Sequence, residues 1–273
     1  MKKRLLVTLT IVCALFVLTG CAQDSSQISL DTKFSDISGQ GVFTALLTYP
    51  LAQGINWLTP KVGLAAAMAI ITLALNIIIL AFTFKSNVGM QKMQDIQPEI
   101  AKIQKKYEGR EDESSQMRMN QEMQQLYEKN HLNPIGILIA TFIQLPVLVC
   151  MYSAVRRAEA VSTGTFMGVS LSITPLEAFT AGIIIPLVIY VLMIVTQFLS
   201  MKLPQWLAAI KGKKNKHYEK PKEQNPLLTY GMLIMISFAM LNWPTVLSLY
   251  YCIYSIINVV KTLVIDLIIK KGK

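Results

Sequence analysis

Few side chains in this chain could do chemistry, and most of them lie inside apolar runs. Of the four cysteines, Cys13, Cys150 and Cys252 fall within apolar segments, and no pair has CxxC spacing. That pattern argues against a disulfide framework and against a zinc site. The two histidines, His131 and His217, stand in polar stretches. Imidazole catalysis therefore has little to work with, and no catalytic residue, metal or cofactor is expected. What remains is hydrogen bonding by polar groups within apolar runs. Thr72 and Asn76 are four apart, on one helical face. Gln144 precedes Pro146, and Thr196, Gln197 and Ser200 cluster in a third run. Ser248, Tyr251, Ser255, Asn258 and Thr262 step by 3, 4, 3 and 4, a single polar stripe along one helix. Polar groups at membrane depth are costly and tend to be functional. Two readings stand: hydrogen bonds that join helices, and a wet cavity between helices, open toward the cytoplasm.

The elements that must position these groups follow from composition. The chain has 273 residues, 53% hydrophobic and 15% charged, with a formal net charge of +10. Soluble domains carry roughly 25% charged residues. The lysines sit between long apolar runs, which fits orientation in a membrane better than nucleic-acid binding. Five runs are long enough, or nearly so, to span: 63–84, 132–154, 173–199, 227–241 and 245–269. Lipid offers no partner to a bare backbone, so these runs must be helices. Nothing alternates as a barrel strand would. The expected fold is an all-α membrane protein, five transmembrane helices with a cytoplasmic helical hairpin between the first two. Its parts are a signal peptide (1–20), an extracytoplasmic segment with an interfacial helix (21–60), a first span (61–85) and the hairpin (86–131). A second span (132–156), an outer loop (157–172), a third span (173–200) and an inner loop (201–225) follow. A fourth span (226–242), a fifth (244–269) and a short inner tail (270–273) complete it.

The first 20 residues read as a secretory signal: Lys2-Lys3-Arg4, an apolar run over 5–18, then Thr19-Gly20. That run is too short for a span, which needs roughly 20 residues. Leu18-Thr19-Gly20-Cys21 resembles the lipobox of bacterial lipoproteins, in which the cysteine is lipidated and becomes the mature N-terminus. Two acyl chains give stable anchoring where one is marginal. With Cys21 outside, five spans place the C-terminus inside. On that topology the inner segments carry eighteen Lys and Arg and the outer ones four, the expected bias. Between the signal and the first span, Phe43, Leu46, Leu47, Leu51, Ile55 and Leu58 fall near helical spacing, with Pro50 interrupting. The segment reads either as an interfacial helix, with Trp57 at headgroup level, or as a plain loop.

Residues 86–131 are too patterned for a loop. Met93, Ile96, Ile100, Ile103 and Tyr107 form a heptad seam, Tyr107-Glu108-Gly109-Arg110 breaks it, and Met119, Met123 and Leu126 repeat the spacing. With Lys85 at its border counted, basic and acidic residues balance at eight each, which suits a solvated, salt-bridged hairpin rather than a phosphate binder. Met90, Met93, Met117, Met119 and Met123 supply adaptable apolar surface. They serve either as a dock for varied apolar peptides or as the hairpin's own core. Near the inner end of the last run, Lys261 and Asp266 read as snorkelling charges.

Several motifs in order resemble the YidC family of membrane protein insertases. They are Thr48-Tyr49-Pro50-Leu51 ahead of the first span, then Gln91-Lys92-Met93-Gln94 with Ile96-Gln97-Pro98-Glu99-Ile100 at the start of the hairpin. Asn133-Pro134 and Gln144-Leu145-Pro146-Val147 follow in the second span, and Asn242-Trp243-Pro244 with Leu249-Tyr250-Tyr251 around the last. The likeness covers about residues 42 to 269. The lipoprotein signal without a large external domain looks like the Gram-positive branch. The resemblance implies a multi-pass protein of the bacterial cell membrane. It would be a non-enzymatic insertase and chaperone with a hydrophilic groove open to cytoplasm and lipid, driven without ATP. Nascent membrane proteins, the Sec translocon, ribosomes and membrane lipids are the implied partners, with no specific nucleic acid. Groove residues would be Thr72, Asn76, Gln144, Gln197, Ser248, Tyr251, Ser255 and Asn258. Many members carry a groove arginine in the first span; here that position is Asn76, and no charge lies between Lys61 and Lys85. The competing function is a small-solute transporter or channel. A secondary transporter would more often show internal repeats, and none is found.

Overall fold

The computed structural model describes residues 26–110, 112–212 and 226–271. The expected signal peptide, Cys21, most of the second inner loop and the last two residues lie outside the described residues. The chain is mostly helical. Short α1 (Phe34–Ser38) is followed by a π-helical turn (Thr44–Thr48) that runs into α2 (Tyr49–Val62). Then come α3 (Leu64–Asp95), α4 (Gln97–Lys106), α5 (Glu113–Lys129), α6 (Pro134–Arg157) and α7 (Glu159–Thr163). A two-stranded antiparallel ribbon, β1 (Thr165–Phe166) with β2 (Val169–Ser170), precedes α8 (Pro175–Thr180). Last are α9 (Ile184–Gly212), α10 (Pro226–Leu241) and α11 (Thr245–Lys271). Among the described residues three helices are long and apolar enough to cross a membrane: Leu64–Asp95, Ile184–Lys211 and Thr245–Lys271.

Several helix boundaries depart from the sequence expectation: α9 runs on to Gly212, into the expected inner loop, and two others differ for local reasons. The run expected to begin at 173 is divided. Thr174 caps α8 in a reciprocal box: its hydroxyl accepts from Glu177 N at 3.1 Å while Glu177 accepts from Thr174 N at 2.8 Å. Gly182, at φ +69°, then turns the chain before α9 starts at Ile184. In contrast, α3 does not stop where the hairpin was expected to start, near 86. It continues to Asp95, because nothing interrupts it before Pro98, which has no N–H to offer Gln94 and so breaks the ladder.

Contacts divide the chain into two compact units. The first comprises Met1–Ile77, Thr141–Ile194 and Ser237–Tyr254. Its buried apolar residues include Ile28, Ala52, Ile55, Met68, Met151, Val155, Leu171, Met240, Leu247 and Tyr250. An extended strap over 26–32 is laced into this unit by polar groups far away in sequence. Arg157 donates from Nε to Ser26 O at 2.9 Å, and from one terminal nitrogen to Ser26 Oγ and Gln40 Oε1. Ile28 is fully buried; its N donates to Arg157 O at 2.7 Å and its O accepts from Glu159 N and from Asn56 Nδ2. Gln53 donates to Ser29 O and Thr32 O, and Tyr49 donates its hydroxyl to Thr32 O. Trp57 of α2 is exposed, with the Lys61 ammonium 3.1 Å from its ring centroid.

The second unit comprises Ile78–Ala140, Val195–Ile236 and Ser255–Lys273. Within it α4 and α5 pair as a helical hairpin around Ile96, Ile100, Leu126 and Leu132, with Met93, Ile103, Met123 and Tyr127 packed on the flanks. Gly109 sits at φ +79°, a conformation that a side chain resists, and so allows the tight turn between them. Asp112 starts α5 by accepting from Ser115 N at 2.8 Å and from Ser114 Oγ at 2.6 Å. These bonds lower its carboxyl from 3.8 to about 2. Across the hairpin Lys106 donates to Glu122 at 2.5 Å and the Tyr107 hydroxyl donates to the same carboxylate at 2.8 Å. The Lys106 bond pushes the Glu122 carboxyl down and the Lys106 ammonium up.

Candidate functional site

The candidate polar residues fall in both units, and each unit's set is described by itself. In the first unit, α3 places Thr72 and Asn76 on one face by their four-residue spacing. Asn76 turns one donor back on its own helix, Nδ2 to Thr72 O at 2.8 Å. Thr72 is fully buried and its hydroxyl has no partner among the described residues. Ser248 of α11 is likewise fully buried with an unpartnered hydroxyl. A buried hydroxyl without a partner costs free energy unless water or a ligand supplies one. Tyr251 is buried within a tyrosine cluster, its ring centroid 5.5 Å from that of Tyr250 and 6.4 Å from that of Tyr254. Gln144 lies on α6, and its side chain is outside the described residues.

In the second unit, Ser255 is buried and donates to Gln197 Oε1 at 2.6 Å, which joins α11 to α9. Asn258 is partly buried one turn further along α11. The Ser255–Gln197 bond thus joins two helices, while the Thr72 and Ser248 hydroxyls have no partner among the described residues. Of the five methionines, Met93 and Met123 flank the hairpin core. Met119 is half-buried, Met117 is exposed, and Met90 belongs to α3 and is exposed.

Two charged features were missed or misread in the sequence. Asp266 does not snorkel: it is buried, with Lys211 Nζ at 2.6 Å and Lys270 Nζ at 2.7 Å. A carboxylate held by two ammonium groups has no need to reach bulk water. Its i,i+4 spacing to Lys270 was a usable signal; nothing local pointed to Lys211. Arg157, counted as an outer-loop charge, is buried against Ser26 and Gln40, partners more than 100 residues away. Among the described residues, no group of three or more His, Cys, Asp or Glu could hold a metal ion.

Three helices long and apolar enough to cross a membrane define a multi-pass membrane protein. The family model for the 60Kd inner membrane protein matches residues 57–272, and the chain belongs to that family. Its relatives are bacterial. The membrane protein insertase YidC 2 of Bacillus anthracis is 28% identical over 264 residues, 95% of this chain and 92% of that protein. The insertase YidC of Oceanobacillus iheyensis is 26% identical over 272 residues, 97% of each chain. The insertase YidC 1 of Streptococcus pyogenes serotype M6 is 30% identical over 223 residues, 81% of this chain and 73% of that protein.

Proposed function

We propose that this chain is a membrane protein insertase and chaperone of the bacterial cell membrane, acting on nascent membrane proteins. The observation that carries the reading is the family match over residues 57–272, with relatives named as insertases along nearly their full length. In this reading the five apolar helices α3, α6, α9, α10 and α11 span the membrane. The α4–α5 hairpin faces the cytoplasm, and Cys21 is the lipidated mature N-terminus outside. The excess of lysine in the inner segments supports that orientation. A client's apolar segment enters a polar groove, and its transfer to lipid supplies the driving force. The chain's own part is to keep hydrogen-bonding groups such as the half-buried Asn76 side chain available to water or to the client's polar flank. The Sec translocon, ribosomes and lipid headgroups are the further partners of this reading.

The test is reconstitution of the purified chain into liposomes with a single-span client, scored by protection of the inserted segment from protease. Insertion above the level of empty liposomes, without ATP, is the expected result; insertion at that level rejects the reading. A second arm probes the groove. Asn76→Leu should reduce insertion, because it removes a polar group from an otherwise apolar stretch of α3. Asn76→Arg should remain active and favour clients with acidic flanks, by attraction in a medium drier than bulk water.

A further inference from the structure

Asp95 is badly placed for its own helix. It is the last residue of α3, and a carboxylate there faces the negative end of the helix dipole. Its partner explains it: Lys211 Nζ lies 3.0 Å from Oδ2 and 3.1 Å from Oδ1 of Asp95. The same ammonium lies 2.6 Å from Asp266, which also receives Lys270 at 2.7 Å. The four charges form one chain, Asp95–Lys211–Asp266–Lys270, across the ends of α3, α9 and α11, all within the second unit.

The links of this chain differ in strength. The Asp266 side chain is 3% exposed and has two cations, so separating it from both would strand a buried charge. The Asp95 and Lys211 side chains are 22% and 24% exposed, so water screens this link more than it screens Asp266. If Asp95 leaves, Lys211 stays neutralised by Asp266 and no bare buried charge results. Ile96, the residue that follows Asp95, belongs to the hairpin core, so the position of Asp95 sets where the hairpin starts.

We infer that Asp95 is a positioning residue for the α4–α5 hairpin: its bond to Lys211 is a releasable tie that holds the hairpin's base to α9, while Asp266 keeps Lys211 in place when the tie opens. The inference rests on the insertase reading for its functional consequence only. The tie limits how far the hairpin swings, and a hairpin cut loose meets clients from a wider range of positions.

Asp95→Asn removes the charge at one atom's cost and leaves the buried Asp266 pairs intact. In the full chain in lipid nanodiscs, amide exchange over 97–129 should quicken about fivefold, the factor by which an exposed ion pair shifts an equilibrium. Exchange over 49–62, in the first unit, should not change. Client insertion should fall by a similar factor at an unaltered melting temperature, and Asp95→Glu should restore both. Unchanged hairpin exchange in Asp95→Asn overturns the tie, as does quickened exchange with full insertion. A parallel fall in melting temperature also overturns it, because the residue is then only a structural strut. Quickened exchange together with an unaltered chain that inserts nothing leaves the tie standing and rejects the insertase reading instead.

Discussion

The α4–α5 hairpin and the strap over 26–32 are both held to helices, but by opposite means. The hairpin closes on itself over short chain distances: Lys106 and Tyr107 reach Glu122, 16 and 15 residues away, above a small apolar seam. Its polar contacts are largely exposed. The strap buries Ile28, and its backbone is satisfied by Asn56, Gln53, Tyr49 and Arg157, up to 131 residues away. Local, exposed contacts form early and open easily; distant, buried ones require the rest of the unit and then resist opening. The comparison separates a part closed by local contacts from a part held by distant ones.

The strongest test of that contrast is Asn56→Leu. Asn56 donates to Ile28 O and accepts from Ala160 N while buried, so its loss strands the Ala160 N–H and leaves Ile28 O with the Glu159 N–H alone. Destabilisation of about 3 kcal/mol is expected, read as a lower denaturant midpoint in detergent, together with protease cleavage within 26–32. Next comes Ile100→Ala in the hairpin seam. Loss of a buried isoleucine costs about 2 kcal/mol, yet here faster amide exchange should stay within 97–129, with the first unit unaffected. If the first unit loosens as well, the hairpin is not an independent part.

A smaller effect is expected at Asp112. Its bonds from Ser114 and Ser115 exist only for the carboxylate, and they hold its value at about 2 against 3.8. A lowered folded value means the stabilisation is complete above the ordinary value and fades as pH falls through about 2. The first turn of α5 should therefore fray between about pH 4 and 2 in the unaltered chain. Asp112→Ala should be frayed already at neutral pH and show no such change with acid, measured by exchange over 113–117. Smallest of all is Glu122→Gln: the pair with Lys106 is solvent-exposed, so hairpin exchange should change little and salt should mimic it.

Much of the hairpin was legible because a heptad states its own partners. Ile96, Ile100 and Leu126 stand in the seam that their spacing described, and Gly109 marks the turn. The break before α4 is written in Pro98, which cannot donate to Gln94 and so lets α3 run only to Asp95. The strap was illegible, because a backbone held by side chains leaves no pattern in its own residues. The polar stripe was visible as a stripe, yet its spacing could not tell Ser255, which bonds to Gln197, from Ser248, whose hydroxyl is unpartnered among the described residues. Periodicity reports which face a residue lies on, whereas hydrogen bonding depends on the helix opposite. Asp266 was misread for the same reason, since one of its two cations, Lys211, comes from a different helix.

The seating of Ser26 against Arg157 bears on how the chain matures. Five peptide links separate Ser26 from Cys21, a reach of at most about 17–18 Å. Were Cys21 lipidated as proposed, its acyl chains would be confined to that reach of the Ser26–Arg157 contact and could not roam as a long tether would allow. Lipid attachment would then act as a mooring line drawn short, and the leader's removal would decide when the line is made fast. An uncleaved leader would leave the same knot tied to an apolar stretch over 5–18 rather than to a lipid, so processing would change what the first unit is moored to without changing the knot itself.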